Sequence, residues 1–118
     1  MKSNIATLIV FSVVGLFVLA LAGQTYSQDA EAGKKVFTDS KCNMCHSVES
    51  AAITKATPGG KVVDLSNTGA NHTAEWFEKY LKKLETVNEK KHMKEFTGKE
   101  EDLKALSQWL ASLKKAAK

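Results

Sequence analysis

Apolar residues recur at helical spacing in three segments of the chain. In the first, Gly33 and Phe37 lie four residues apart, and Asp29 is placed to cap the helix that they predict. In the last, a row of leucines has the same spacing with Trp109 beside it, and comprises Leu103, Leu106, Leu110 and Leu113. Both patterns predict helices with one buried face.

The middle helix and the start of the last helix also carry capping signals. Thr73 precedes a row of apolar and aromatic residues that we expect to point inward: Trp76, Phe77, Tyr80, Leu81 and Leu84. Thr97 and Glu100 have the spacing of a capping box, in which the threonine oxygen accepts from a backbone amide and the glutamate reaches back. The last helix is therefore predicted to begin directly after Thr97.

Between the first two helices, residues 47–71 contain turn residues but no sustained alternation of apolar and polar positions. Pro58, Gly59 and Gly60 stand together, and Gly69 follows later. The segment is predicted to be a loop, and the three helical patterns around it predict an all-α fold. A loop of this length in so small a domain is typically functional.

An uncharged run covers residues 5–22 and follows Lys2, a pattern typical of export. We predict a cleaved signal peptide at residues 1–27, with an uncleaved membrane anchor as the alternative, and one domain at residues 28–118. The domain is then periplasmic, either free or anchored to the membrane.

The composition is that of one small globular domain. The chain has 118 residues, of which 43% are hydrophobic and 25% charged. Its net charge is +4, and all 17 basic residues are lysines. Because arginine supplies the planar fork that binds phosphate and guanine with two bonds, no nucleic-acid partner is predicted.

The two cysteines, Cys42 and Cys45, are followed directly by His46. This Cys-x-x-Cys-His pattern is the attachment signature of c-type haem. One tight turn presents both thiols to the two vinyl groups on one edge of a porphyrin, and the adjacent imidazole lies under the iron. Two alternatives are a redox disulfide and a zinc site completed by His72 or His92.

A second axial ligand would keep the iron low-spin and suited to single-electron exchange. Met93 is predicted for this role, because it is a lone thioether in a polar segment just before the last helix. His92 and His72 are the alternatives, and either would give a bis-imidazole iron of lower potential. Met44 lies inside the attachment turn on the side of His46, so it is not expected to reach the opposite face.

With these residues placed, the chain resembles class I c-type cytochromes, in particular the small bacterial monohaem cytochromes c. The resemblance covers everything after the export segment, and residues 64–70 are especially similar to the small bacterial members. In that family a glycine and an aromatic residue of the first helix cross a leucine and an aromatic residue of the last. Gly33 and Phe37 match the first pair, and Leu106 and Trp109 match the second.

The resemblance implies a cytochrome c fold, with three to four helices wrapped around one covalently attached haem c. It also places Met93 at the position of the iron-ligating methionine. The family's proximal histidine donates its second nitrogen to a loop carbonyl near a proline, and here Pro58 and Val63 are both candidates for that carbonyl. Lys94 and Leu84 stand where the family often has prolines, which implies a less rigid methionine loop.

The predicted function is that of a monomeric monohaem carrier, not an enzyme, that shuttles single electrons between periplasmic or membrane redox partners of a respiratory chain. Two alternatives remain: an iron with an open sixth position that binds peroxide or a small gas, and an electron-transfer subunit of a periplasmic oxidoreductase. Several lysines could surround an exposed haem edge and attract acidic partners. They are Lys41, Lys55, Lys61, Lys82, Lys83, Lys90, Lys91 and Lys94.

Overall fold

A computed structural model describes residues 29–114. Within this range the chain forms three α-helices: α1 at residues 29–39, α2 at Ala74–Leu81 and α3 at Glu100–Ser112. The helices agree with the all-α prediction. The signal peptide predicted at residues 1–27, and its alternative as a membrane anchor, lie outside the described residues. In the described range, no helix has the length and apolar character needed to span a membrane.

The first and last helices cross at Gly33. A β-carbon on this residue would collide with the Trp109 Cβ and with the Ala105 carbonyl, so the glycine allows the two backbones to approach closely. Beside the crossing, the Phe37 and Trp109 rings pack edge to face, with their centroids 5.4 Å apart. Leu106 is buried in the same cluster. The predicted pairing of these helices is confirmed.

Helix α2 packs across α3 and completes one hydrophobic core. The leucine row of α3 faces this core as its spacing predicts, although Leu113 lies just after the end of the helix. The buried hydrophobic residues of the described range are Phe37, Val48, Phe77, Leu81, Leu103, Leu106, Trp109, Leu110 and Leu113.

The row of apolar residues predicted for α2 divides into two parts. Phe77 and Leu81 are buried in the core, whereas the Trp76 and Tyr80 rings are half-buried and stack on each other with centroids 4.7 Å apart. Leu84 lies beyond the end of the helix and is 70% exposed, so the prediction that it points inward is wrong. At the other end the predicted cap is confirmed, because the Thr73 hydroxyl accepts from the Trp76 N–H over 3.3 Å.

Two predicted caps are not formed. Asp29 is itself helical, so it does not precede the first helical residue of α1. Helix α3 begins three residues after Thr97, with Lys99 at the capping position and no side-chain cap. Tertiary contacts explain the later start, since the Phe96 N–H donates to the Leu81 carbonyl over 2.9 Å and its side chain packs against the core. Three acids in the first turn complement the helix dipole instead: Glu100, Glu101 and Asp102.

The segment between α1 and α2 is largely irregular, as predicted, but it contains a parallel pair of two-residue strands. Strand β1 (His46–Ser47) pairs with β2 (Val63–Asp64), and His46 lies opposite Val63. Strands of two residues are too short to show an alternating pattern, so the sequence gives no sign of them. A turn at Thr68–Ala70 follows, in which the Gly69 N–H donates to the Leu113 carbonyl at the end of α3.

Candidate functional site

The two cysteines lie on one tight turn directly after α1. Cys42–Met44 form a 3-10 turn, which the chain enters through Lys41 in the left-handed region at φ 59°. The Cys45 N–H closes this turn by donating to the Cys42 carbonyl over 3.1 Å. The two cysteines are not joined by a disulfide; Cys42 is half-buried against the core and Cys45 is exposed. The motif therefore presents both thiols from a single turn, with His46 next along the chain.

The environment of Cys42 disfavours ionisation of its thiol. Burial raises the pKa of this thiol, and the nearby Lys94 ammonium only partly opposes the effect. Lys94 reaches the same turn through a hydrogen bond of 3.3 Å from its Nζ to the Ser40 carbonyl. Because disulfide exchange requires a thiolate, a raised pKa does not favour the redox-disulfide alternative.

The His46 ring is oriented by a backbone carbonyl on the neighbouring strand. Its Nδ1 lies 3.2 Å from the Val63 oxygen, a contact that follows from the register of β1 against β2. A carbonyl can only accept, so in the neutral ring Nδ1 carries the proton and Nε2 is left as a metal-binding nitrogen. Of the two carbonyls that the sequence allows, His46 therefore uses that of Val63 and not that of Pro58.

A network around the Asp64 carboxylate holds the two strands together. Its Oδ1 accepts from the Ser47 hydroxyl over 3.3 Å, the Glu49 N–H over 3.1 Å and the Ser66 hydroxyl over 2.9 Å. Ser66 in turn accepts from the Ser50 N–H over 2.9 Å. Burial opposes ionisation of Asp64, but these hydrogen bonds together outweigh it and lower the pKa of the carboxyl. The network fixes the strand whose carbonyl orients His46.

The surroundings of His46 favour its neutral form. Burial lowers the pKa of the ring, the hydrogen bond to Val63 partly opposes this, and the neighbouring His92 lowers it further. A neutral imidazole is the form that binds metals, so the electrostatics of the site agree with a role as ligand.

A second imidazole lies beside His46. The rings of His46 and His92 have centroids 6.1 Å apart and planes inclined by 18°. The Tyr80 ring contacts His92 edge to face at 5.3 Å. His72, the other histidine of the sequence-based alternative, lies at the far end of this row of rings and stacks on Trp76 at 3.6 Å. Of these two histidines, His92 is therefore the one placed beside His46.

Both methionines of the described residues have exposed side chains. The Met93 side chain is 96% exposed, although the preceding residue, His92, is half-buried. Met44 is 44% exposed, and its sulfur accepts from the Thr57 hydroxyl at 3.8 Å. The structure brings Cys42, Cys45 and His46 together as the motif predicts, whereas Met93 remains a prediction from the sequence.

Sequence reasoning did not identify the role of Asp64. The signal was present, because an aspartate followed two residues later by a serine is typical of local side-chain hydrogen bonding in loops. The partners Ser47 and Glu49 lie 17 and 15 residues away, however, and only the strand pairing brings them together.

In residues 29–114 no group of three or more His, Cys, Asp and Glu side chains is placed to hold a metal ion, so the zinc alternative has no support there.

Comparisons with known proteins indicate the family of the chain. Searches of curated proteins and of solved structures found no match. A family model described as Cytochrome c matches residues 30–114.

Proposed function

The chain belongs to the cytochrome c family, and from this membership we propose that it is a monohaem carrier that shuttles single electrons between redox partners in the periplasm or at the membrane. Membership makes it a c-type cytochrome with a part in electron transfer. The single haem, the periplasmic location and the nature of the partners belong to the proposal.

The attachment turn is the main support for this function. Cys42 and Cys45 would hold the haem by two thioether bonds, and Nε2 of His46 would bind its iron. When bound, the haem supplies an iron that alternates between the ferric and ferrous states. The whole chain contains two cysteines, which is enough for one attachment motif and hence for one haem.

The surrounding residues are suited to exchange of electrons without rearrangement. The Val63 carbonyl holds the proximal ring, and Asp64 holds the strand that carries this carbonyl. Cys42 packs against the hydrophobic core, which limits access of water to that side of the attachment turn. Strand pairing and core packing hold the residues that would bind the haem. This rigidity favours an electron carrier over an enzyme whose site must open to a substrate.

A reduced-minus-oxidised absorption spectrum of the purified, matured protein tests this function. We expect sharp ferrous bands, together with haem that stays on the chain during denaturing electrophoresis. The matched control replaces both attachment residues, Cys42→Ala with Cys45→Ala, and should be colourless. A colourless wild-type chain with two free thiols, from cells that mature another c-type cytochrome, would contradict the proposal.

The two alternative functions differ in what they would show. An iron with an open sixth position, suited to peroxide or a small gas, would be high-spin in its ferric form and would bind added cyanide rapidly. An electron-transfer subunit of a periplasmic oxidoreductase would have the same spectrum as a free carrier but would co-purify with its enzyme.

Lysines near the attachment turn support a proposal of acidic redox partners. Lys41 begins this turn, and Lys94 is held against it through Ser40. Lys82, by contrast, pairs with Glu100 at 2.6 Å and contributes less to an outward field. Electron exchange with an acidic partner should therefore slow as ionic strength rises.

A further inference from the structure

The carbonyl that orients His46 belongs to the same peptide group as the Asp64 N–H. A peptide group is planar, so the direction of the Val63 oxygen is tied to the position of the Asp64 Cα. Nδ1 of His46 lies 3.2 Å from that oxygen. Whatever holds Asp64 therefore also sets the direction of the hydrogen bond that His46 donates.

Asp64 is held through both its side chain and its strand. One oxygen of its carboxylate accepts at 2.9–3.3 Å from donors of Ser47, Glu49 and Ser66. In the next peptide group along the strand, the Leu65 N–H donates to the Ser47 carbonyl over 2.9 Å. These contacts join two segments of the polypeptide and involve none of the predicted haem ligands. The peptide group that precedes Asp64 is thus fixed by the polypeptide itself.

The two serine hydroxyls of this network require an acceptor at position 64. Ser47 and Ser66 are only 5% and 4% exposed, so water does not readily replace a lost partner. The Ser66 hydroxyl accepts from the Ser50 N–H over 2.9 Å, and this directs its own proton to Asp64. Because a buried hydroxyl is costly to leave unpaired, both serines hold the carboxylate in place.

The hydrogen bond at Nδ1 of His46 affects how strongly Nε2 binds a metal. A carbonyl that accepts firmly from Nδ1 raises the basicity of the imidazole, and a more basic ligand stabilises ferric over ferrous iron. The negative charge of the Asp64 carboxylate acts in the same direction, although water screens it because this residue is exposed. A firmly held Val63 carbonyl therefore lowers the reduction potential of an iron bound by His46.

We propose that Asp64 is a positioning residue that lowers the reduction potential of the haem iron, acting through the Val63 carbonyl and His46. The inference rests on the proposed function, because it requires a haem iron bound by His46. Asp64 then helps to set the potential at which the carrier exchanges electrons, whichever residue binds the iron from the opposite side.

Four variants of the matured full-length protein test this role: Asp64→Ala, Asp64→Asn, Ser66→Ala and Glu49→Gln. The last is the matched control, because it removes one negative charge beside the network and leaves in place the Glu49 N–H that donates to Asp64. Ser66→Ala removes a donor to Asp64 without a change of charge. The measurements are the reduction potential and, by NMR of the ferrous protein, the rate at which the His46 Nδ1 proton exchanges with solvent. Haem retained on denaturing gels and thermal stability are scored separately.

We expect Asp64→Ala to have a higher potential than the wild type and a His46 Nδ1 proton that exchanges up to about tenfold faster, as the weakening of one hydrogen bond allows. Asp64→Asn and Ser66→Ala should give smaller shifts in the same direction, and Glu49→Gln should match the wild type. A variant that merely loosened the loop would admit water to the haem. Water favours the more highly charged ferric state, so the potential of such a variant would fall instead.

An Asp64→Ala potential equal to that of Glu49→Gln, or below it, would overturn the inference and leave the proposed function intact, even in a variant of lower stability. A higher potential with an unchanged Nδ1 exchange rate would overturn it as well, because the effect would then not pass through His46. If Asp64→Ala does not mature, Asp64→Asn and Ser66→Ala decide the question by the same two measurements. Absence of covalent haem from the wild type and all variants would overturn the proposed function, and this inference with it.

Discussion

A carboxylate on the neighbouring strand fixes the carbonyl to which His46 donates. The strand pair is only two residues long on each side, and a pairing so short is not stable alone. Asp64 strengthens it by accepting from the Ser47 hydroxyl and from the Glu49 N–H, which is also the first amide of a 3-10 turn. Single side-chain hydrogen bonds thus replace the ladder of a longer sheet, and the orientation of His46, the proposed iron ligand, depends on them.

Replacing Asp64 by Asn should lower stability in a pH-dependent way. Folding lowers the pKa of this carboxyl. The ionised carboxylate therefore stabilises the fold fully above its unfolded pKa of 3.8, and this stabilisation is lost as the pH falls through the lower pKa of the folded state. The isosteric amide keeps an acceptor but removes the charge, so we expect a loss of roughly 0.5–1.5 kcal/mol at neutral pH. Denaturant unfolding of both proteins between pH 6 and pH 2 measures the difference. A difference that stays constant over this range would contradict the assignment.

The helices follow from the sequence wherever one local pattern decides them. Gly33 pairs with Trp109 as expected, and Thr73 caps α2, because spacing along a helix and capping chemistry are local properties. The start of α3 does not follow from Thr97, since Phe96 is held by a hydrogen bond to α2 that no local pattern reveals. Leu84 fits the periodicity of α2, but the helix ends before it.

The residues of the site likewise include some that the local sequence specifies and others that depend on tertiary contacts. Cys42, Cys45 and His46 follow from the sequence because they are close neighbours along the chain. The choice of the Val63 carbonyl depends on pairing between segments 17 residues apart, which a sequence without strand periodicity does not specify. The direction in which His92 points depends likewise on how the loop between α2 and α3 is held at both ends.

Replacing Gly33 by Ala should separate α1 from α3. In a helix alanine is favoured over glycine by about 1 kcal/mol, yet here the new methyl group would collide with the Trp109 Cβ and the Ala105 carbonyl. We expect net destabilisation of about 1–3 kcal/mol, as for other insertions into a packed core. The control is Ala32→Gly on the exposed face of α1, which should cost about 1 kcal/mol through helix propensity alone. A Gly33→Ala protein more stable than the wild type in thermal unfolding would contradict the close crossing.

Replacing Glu89 by Gly should stabilise the turn before His92. Asn88 and Glu89 both adopt positive φ, at 50° and 63°, between the paired residues Val87 and Lys90. This conformation costs a residue with a side chain roughly 1–2 kcal/mol, and asparagine tolerates it better than glutamate. Glycine also loses more backbone entropy on folding than glutamate does. We therefore expect the free energy of unfolding, measured by thermal unfolding, to rise by at most about 1 kcal/mol. The control is Lys91→Gly just after the turn, which should be destabilising. If both variants lose stability, the positive φ of Glu89 is not what limits the stability of this turn.

At the scale of the whole molecule, charge is distributed unevenly around the attachment turn. The net charge is +4, but several lysines are paired with acids on the surfaces of the helices, including Lys35 with Asp39 and Lys79 with Glu75. Such exposed pairs contribute little to stability but reduce the field of the lysines involved. Lys94, held beside the cysteines, belongs to the surface on which we propose that an acidic partner docks.

Removing the attachment cysteines should abolish cooperative folding of the whole domain. The core of the described range has nine buried hydrophobic residues, which is small for a chain with so much irregular structure. A haem attached through both cysteines would stay on the chain when it unfolds, so it would stabilise the folded state through burial of its apolar ring and through the binding of its iron by His46. We expect the Cys42→Ala, Cys45→Ala protein to lose its cooperative thermal transition in circular dichroism.

The control is Cys45→Ala alone, which keeps one thioether site and should retain both haem and a thermal transition, at a lower temperature than the wild type. A haem-free double variant that unfolds in one sharp transition, with the dimensions of the wild type in solution scattering, would show that the polypeptide folds without its cofactor.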